Sequence, residues 1–157
     1  MTSVLDAIQE VAMNGRSVIR VLVVDDFGPW CGYVISGIQT KQRWIVVGVA
    51  RDGNEAVQKA QDLQPDLILL DIRLPRLNGI EATRLILKNS PRTKILYVSS
   101  EADPELARVG FRAGGLGYVV KTDAADELFP AMEATRQGKR YVSSTLAGYG
   151  LTEPEDE

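Results

Sequence analysis

The sequence predicts an α/β fold, a doubly wound five-stranded parallel sheet with helices on both faces, and three observations carry that prediction. Short runs rich in Val, Ile and Leu alternate with amphipathic stretches along the chain. Within the runs, apolar and polar residues barely alternate, as in strands buried on both faces of a parallel sheet. The runs start roughly every 22–28 residues, the spacing of consecutive βα units.

Taken in order, the runs predict strands over Ile19–Val24, Trp44–Ala50, Asp66–Leu70, Thr93–Val98 and Leu116–Val120. The stretches between them predict helices. Pro29 suits a first helical position, and Trp30, Val34 and Ile38 follow at i, i+4 and i+8. From Asn54 to Leu63, one face collects Ala56, Val57, Ala60 and Leu63. Asn78-Gly79 precedes a third helix that carries Ile80, Thr83, Leu85, Ile86 and Leu87. Asp103-Pro104-Glu105 reads as an N-cap, a proline in the first turn and an acid beside it, with Gly114-Gly115 as the stop. Asp123 can cap a last helix through Arg136, inside which Pro130 is expected to kink the helix or delay its start. Right-handed crossovers leave few topologies for five such units, and the flavodoxin-like order 2-1-3-4-5 fits best.

Composition narrows the chemistry. The 157 residues and 17.2 kDa amount to one domain. Eighteen Lys plus Arg against 21 Asp plus Glu give a net charge of −3, which offers no pull toward nucleic acid or an anionic membrane. With no histidine, imidazole catalysis and imidazole metal ligands are absent from this chain. The single cysteine, Cys31, rules out an intramolecular disulfide and suits a reducing compartment. Asp6 and Glu10 interrupt the apolar pattern of the first residues, which is not that of a signal peptide, and no run reaches the ~18 residues of a membrane span. A cytoplasmic protein is expected. Residues 19–140 form the expected domain. Residues 1–18 carry an apolar stripe (Val4, Leu5, Ile8, Val11, Ala12) that suits a short helix, and residues 141–157 read as a fraying tail.

In a doubly wound sheet the working site lies outside the carboxyl ends of the strands. Strand 1 ends in Asp25-Asp26, strand 3 in Asp71, strand 4 in Ser99-Ser100 and strand 5 in Lys121. The order 2-1-3-4-5 makes these ends converge. Three carboxylates at close range raise one another's pKa, and a hard divalent cation relieves the conflict. Mg²⁺ prefers one or two carboxylates together with waters and phosphate oxygens. Asp71, on the central strand, is then a nucleophile able to accept a phosphoryl group as an acyl phosphate. Lys121 would pair with one phosphoryl oxygen and the Ser99 hydroxyl would donate to another.

The set VLVVDD, DLILLDIRLPRLNG, ILYVSSE and GYVVK, in that order and spacing, resembles the receiver domain of bacterial two-component response regulators over roughly residues 19–140. The segment ending QGKRYVSSTL is similar to the NarL/FixJ-like subgroup. The resemblance implies that Asp71 is the phosphoacceptor and that Asp25 and Asp26 bind Mg²⁺, Asp25 through water. It implies that the Arg73 carbonyl completes the coordination, that Ser99 is the switch hydroxyl and Tyr118 the switch aromatic, and that Lys121 contacts the phosphate. Lys121-Thr122 departs from the commoner Lys-Pro of that family and loses its cis-proline turn. A histidine kinase or phosphotransfer protein is the implied donor. The implied output is docking or homodimerisation, through helix 4, strand 5 and helix 5 or through helices 1 and 5. Arg73 and Glu101, two past the acceptor and two past Ser99, are placed to pair across the pocket mouth and hinder an attacking water.

Three other readings compete. The chain would be the N-terminal receiver of a LuxR-type DNA-binding regulator, although about 17 residues after Arg140 fall short of the roughly 60 that a helix-turn-helix domain needs. A phosphatase of the haloacid-dehalogenase type would carry a second aspartate two past the nucleophile, where this sequence has Arg73. A receiver degenerated to mere protein binding would not retain the full acidic set.

Overall fold

The computed structural model describes residues 4–5 and 17–152. Of the stripe expected over residues 1–18, Ile8, Val11 and Ala12 lie outside the described residues, whereas Val4 and Leu5 are exposed. Among the described residues, six strands form one parallel sheet: β1 (Ile19–Val24), β2 (Trp44–Ala50), β3 (Leu67–Leu70), β4 (Lys94–Ser99), β5 (Gly117–Val120) and β6 (Tyr141–Val142). Their order is 2-1-3-4-5-6. The predicted order 2-1-3-4-5 is present within it, and the expected count of five is corrected to six. β6 is only two residues long and shows no periodicity, so sequence pattern could not reveal it.

Five helices connect the strands: α1 (Gly28–Gln39), α2 (Gly53–Leu63), α3 (Gly79–Asn89), α4 (Pro104–Arg112) and α5 (Ala124–Arg136). Short polar side chains start three of them by satisfying orphan amides. Asp52 accepts from the Glu55 amide at 2.8 Å, Asn78 from the Glu81 amide at 2.9 Å and Asp103 from the Glu105 amide at 2.9 Å. Gly114, at φ +116, takes the chain away from the end of α4. The last helix runs through Pro130 rather than starting after it. That residue is solvent-exposed, so water can serve the carbonyl its ring leaves unbonded.

Alternate residues of the strands feed two cores. Leu22, Val24, Ile68 and Leu70 pack on one face with Ala56, Ala60 and Ile86. Val21, Val23, Leu67 and Leu69 pack on the other with Val34, Ile38, Leu128 and Met132. Apart from Arg20, every position of β1 and β3 is Val, Leu or Ile, as two covered faces require.

Residues after Arg140, read from sequence as a tail, are packed as far as the described residues extend. Leu146 and Leu151 (5% exposed) join the first core. The Ser143 amide donates to the Tyr118 carbonyl at 3.0 Å, and its hydroxyl accepts from the Val120 amide at 2.9 Å. Glu127 accepts from the Tyr141 hydroxyl at 2.8 Å and from the Ser144 amide at 3.0 Å. Asp123 accepts from the Thr145 amide and hydroxyl at 3.0 and 2.8 Å. Over its described residues, the segment is thus a strap over β5 and the start of α5.

Candidate phosphoacceptor site

Parallel pairing sets the site. Because β1 and β3 are neighbours in register Val24↔Leu70, the residues that follow them emerge side by side at the carboxyl edge. The Asp71 amide donates to the Val24 carbonyl at 3.0 Å and the Asp25 amide to the Ala50 carbonyl at 3.1 Å, which extends the ladder one step into the site. Behind Asp71 the chain is pinned by Gly79, whose amide donates to the Ile72 carbonyl at 2.8 Å. A Cβ on Gly79 would collide with the Asp71 carbonyl, so only glycine lets α3 begin this close to the strand end.

Asp25 and Asp71 are buried, 1% and 7% exposed, while Asp26 faces solvent. One carboxylate oxygen from each of the three lies within 4.8 Å of the others. The span is slightly wider than the roughly 4.2 Å between opposite oxygens of a Mg²⁺ octahedron, which suits one carboxylate acting through water. An all-oxygen donor set without nitrogen or sulfur favours a hard cation over zinc or copper. The residues present therefore fit Mg²⁺.

The electrostatics favour a partner cation as well. Burial, aided by the neighbouring Asp25 charge, pushes Asp71 up to about 6, against opposing pulls from Lys121 and the backbone amides of Arg73 and Ile72. Lys121 reaches in from the turn after β5, with Nζ 2.7 Å from Asp25 Oδ2 and 3.8 Å from Asp71 Oδ2. Its side chain is only 17% exposed. The Phe27 amide donates to Asp25 Oδ1 at 2.9 Å, and the Arg73 amide makes a longer contact to Asp71 Oδ1 at 3.4 Å.

The rim holds the remaining residues singled out from sequence. Ser99 is buried at the end of β4 and its hydroxyl accepts from the Glu101 amide at 3.1 Å, whereas Ser100 is exposed. Tyr118 is fully buried, and its hydroxyl donates to the Glu101 carbonyl at 2.7 Å. Burial pushes this phenol up to about 12, with the Ser99 side chain pulling the other way. The Arg73 and Glu101 side chains do pair, Nε to Oε1 at 3.2 Å, with 70% and 42% of the side chains exposed. Two contacts were missed in the sequence. Lys121 Nζ lies 5.0 Å from the centre of the Trp30 ring, which sequence reading counted only as part of an apolar stripe. Cys31, which the sequence presents only as a lone thiol, is buried and donates from Sγ to the Asp25 carbonyl at 3.5 Å.

A family model described as response regulator receiver domain matches residues 21–133. The chain is 38% identical over 134 residues to "Response regulator GacA" of Pseudomonas viridiflava, covering 82% of this chain and 60% of that one. It is 32% identical over 135 residues to "Transcriptional regulatory protein LnrK" of Bacillus subtilis (strain 168), covering 86% of this chain and 61% of that one. The chain thus spans about three fifths of the length of these curated relatives. A crystal structure of a LuxR-family two-component response regulator from Aurantimonas sp. SI85-9A1 superposes with a TM-score of 0.80 at 33% identity, covering 83% of this chain and 94% of that one. The convergent aspartates thus sit in a fold and sequence family of known kind, and the chain belongs to the response regulator receiver domains.

Proposed function

We propose that Asp71 accepts a phosphoryl group from a phosphohistidine on a partner kinase or phosphotransfer protein and passes the signal to a protein-binding surface. The observation that carries this is the cluster of Asp25, Asp26 and Asp71 within 4.8 Å, with Lys121 beside it at the sheet's carboxyl edge. In the forward step an Asp71 carboxylate oxygen attacks phosphorus, an O–P bond forms and the P–N bond breaks. The electron pair goes to the leaving imidazole nitrogen, which takes up a proton. Lys121 neutralises one phosphoryl oxygen, and the Ser99 hydroxyl turns from the Glu101 amide to donate to another. Asp25, Asp26 and Asp71, with the Arg73 carbonyl, would hold Mg²⁺, which would supply the further positive charge that a phosphoryl group needs.

The reverse switch is hydrolysis of the acyl phosphate, in which water attacks phosphorus and returns the carboxylate and inorganic phosphate. The chain is thus a phosphoacceptor rather than an enzyme with an external product. Tyr118 ties the Glu101 carbonyl to β5, so a shift of Ser99 and Glu101 is felt at that strand and at the strap hydrogen-bonded to it. The output is docking or homodimerisation at surfaces that include α4, β5 and α5. Such a protein works in the cytoplasm, and among the described residues no helix is long and apolar enough to cross a membrane.

The test is incubation with a small acyl phosphate, with and without Mg²⁺, followed by intact-mass measurement. One added phosphoryl group is expected in the presence of Mg²⁺ only, and none in Asp71→Ala. Full labelling of Asp71→Ala, or labelling indifferent to Mg²⁺, would overturn the reading.

A further inference from the structure

Lys121 has a third partner beyond the two carboxylates. Helix α1 opens Gly28-Pro29-Trp30, so the proline-fixed first turn presents Trp30 toward the site. The indole is half-buried against the core on the α1 side of the sheet, and it lies 5.4 Å from the Tyr33 ring one turn further along. Lys121 Nζ sits over that indole, 5.0 Å from its centre. The ammonium is therefore held by Asp25 Oδ2 at 2.7 Å, by Asp71 Oδ2 at 3.8 Å and by an aromatic face.

These partners are not equivalent once the site is loaded. Asp25 belongs to the carboxylate cluster that fits a divalent cation, and such a cation competes with the ammonium for Asp25 and repels it. Asp71 is consumed by the chemistry proposed above. Trp30 alone carries no charge and ligates nothing. A lysine stem that loses its carboxylate partner regains rotamer freedom unless something else holds its head. An indole face attracts an ammonium most strongly where water is excluded, as it largely is around Lys121.

We propose that Trp30 is a positioning residue: its ring holds the Lys121 ammonium beside Asp71 when the metal occupies Asp25, so that the incoming phosphoryl group meets a cation already in place. The inference rests on the reading of Asp71 as acceptor and adds to it a residue that touches neither phosphate nor metal.

The test compares Trp30→Leu, which removes the π face but keeps an apolar side chain, with Trp30→Phe, which keeps a face. The full chain is phosphorylated with acetyl phosphate and Mg²⁺, and the rate is followed by intact mass. Trp30→Leu is expected to slow phosphorylation about 3- to 30-fold, the range that loss of a partly desolvated cation–π contact implies, and Trp30→Phe to recover most of the rate. An independent readout is the Lys121 ε-methylene resonance in NMR spectra of the unphosphorylated chain, with and without Mg²⁺. Ring current should displace it upfield in the wild type, and should still do so when Mg²⁺ is added. A wild-type rate in Trp30→Leu, equal slowing in both variants, or an ordinary ε-methylene shift in the wild type overturns the proposal. Should Trp30→Leu fail to fold, the wild-type resonance decides alone. A wild-type chain that takes no label overturns the Asp71 reading and this one with it, whereas labelling that Trp30→Leu leaves unaffected overturns this one only.

Discussion

Asp71 is held at a cost to the fold. Its carboxyl group is raised from 3.8 to about 6, first by burial and then by the Asp25 charge. Between those two values the folded chain binds more protons than the unfolded one, so stability falls as pH rises through the window. The lowered groups Asp123, Glu127 and Glu133 act in the opposite sense, and their contribution is already complete above their ordinary values of 3.8 and 4.5. In metal-free buffer Asp71→Asn is therefore expected to be more stable than wild type at pH 7, by up to about 3 kcal/mol, with the gap closing toward pH 4. Urea unfolding at several pH values measures it, and a gap that does not change with pH contradicts the assignment. At the rim, Arg73 and Glu101 pair two residues past Asp71 and Ser99, and we propose that the pair hinders the approach of water to Asp71. Arg73→Ala and Glu101→Ala are each expected to speed dephosphorylation by a few-fold, since an exposed pair holds its geometry with only about 1 kcal/mol or less. Unchanged lifetimes in both would remove the pair from the mechanism. Asp25, Asp71 and Lys121 were legible because each directly follows an apolar run, and Asp26 because it stands next to Asp25. Trp30 was not, since an aromatic residue in an i, i+4, i+8 stripe looks the same whether it packs or cradles an amine.

Among the elements, the strap shows where sequence reading stops. Helix caps such as Asp103-Pro104 are local chemistry and can be read from neighbouring residues. By contrast, β6 and the residues after it are defined by partners far back in the chain. Tyr141 and Ser144 are held by Glu127, Thr145 by Asp123, and Ser143 by Tyr118 and Val120. No repeating pattern marks such a segment, and the acidic residues beyond Leu151 pull the eye toward a solvated tail. Burial shows that the strap contributes to stability. Leu151→Ala and Leu146→Ala are each expected to cost about 2–4 kcal/mol in urea or thermal unfolding, the range for truncating a buried leucine. Losses below about 0.5 kcal/mol would mean that the segment is only loosely attached.

For the molecule as a whole, a parallel sheet gathers at one edge residues that lie far apart in the chain. Asp25 and Lys121 are 96 positions apart and end 2.7 Å from each other. Strand order alone brings the ends of β1, β3, β4 and β5 together, and strand order follows from the βα rhythm, so fold and site were read from one pattern. The sixth strand lies at the far edge and does not enter the site. At this edge, a phosphoryl group is proposed to pass to one particular carboxylate, that of Asp71. Borohydride reduces an aspartyl phosphate to homoserine, so peptide mapping after acetyl phosphate treatment locates the acceptor. Conversion is predicted at position 71 in the Mg²⁺-containing sample and nowhere without the metal; conversion at Asp25 or Asp26, or at no position, would rule out Asp71 as the acceptor.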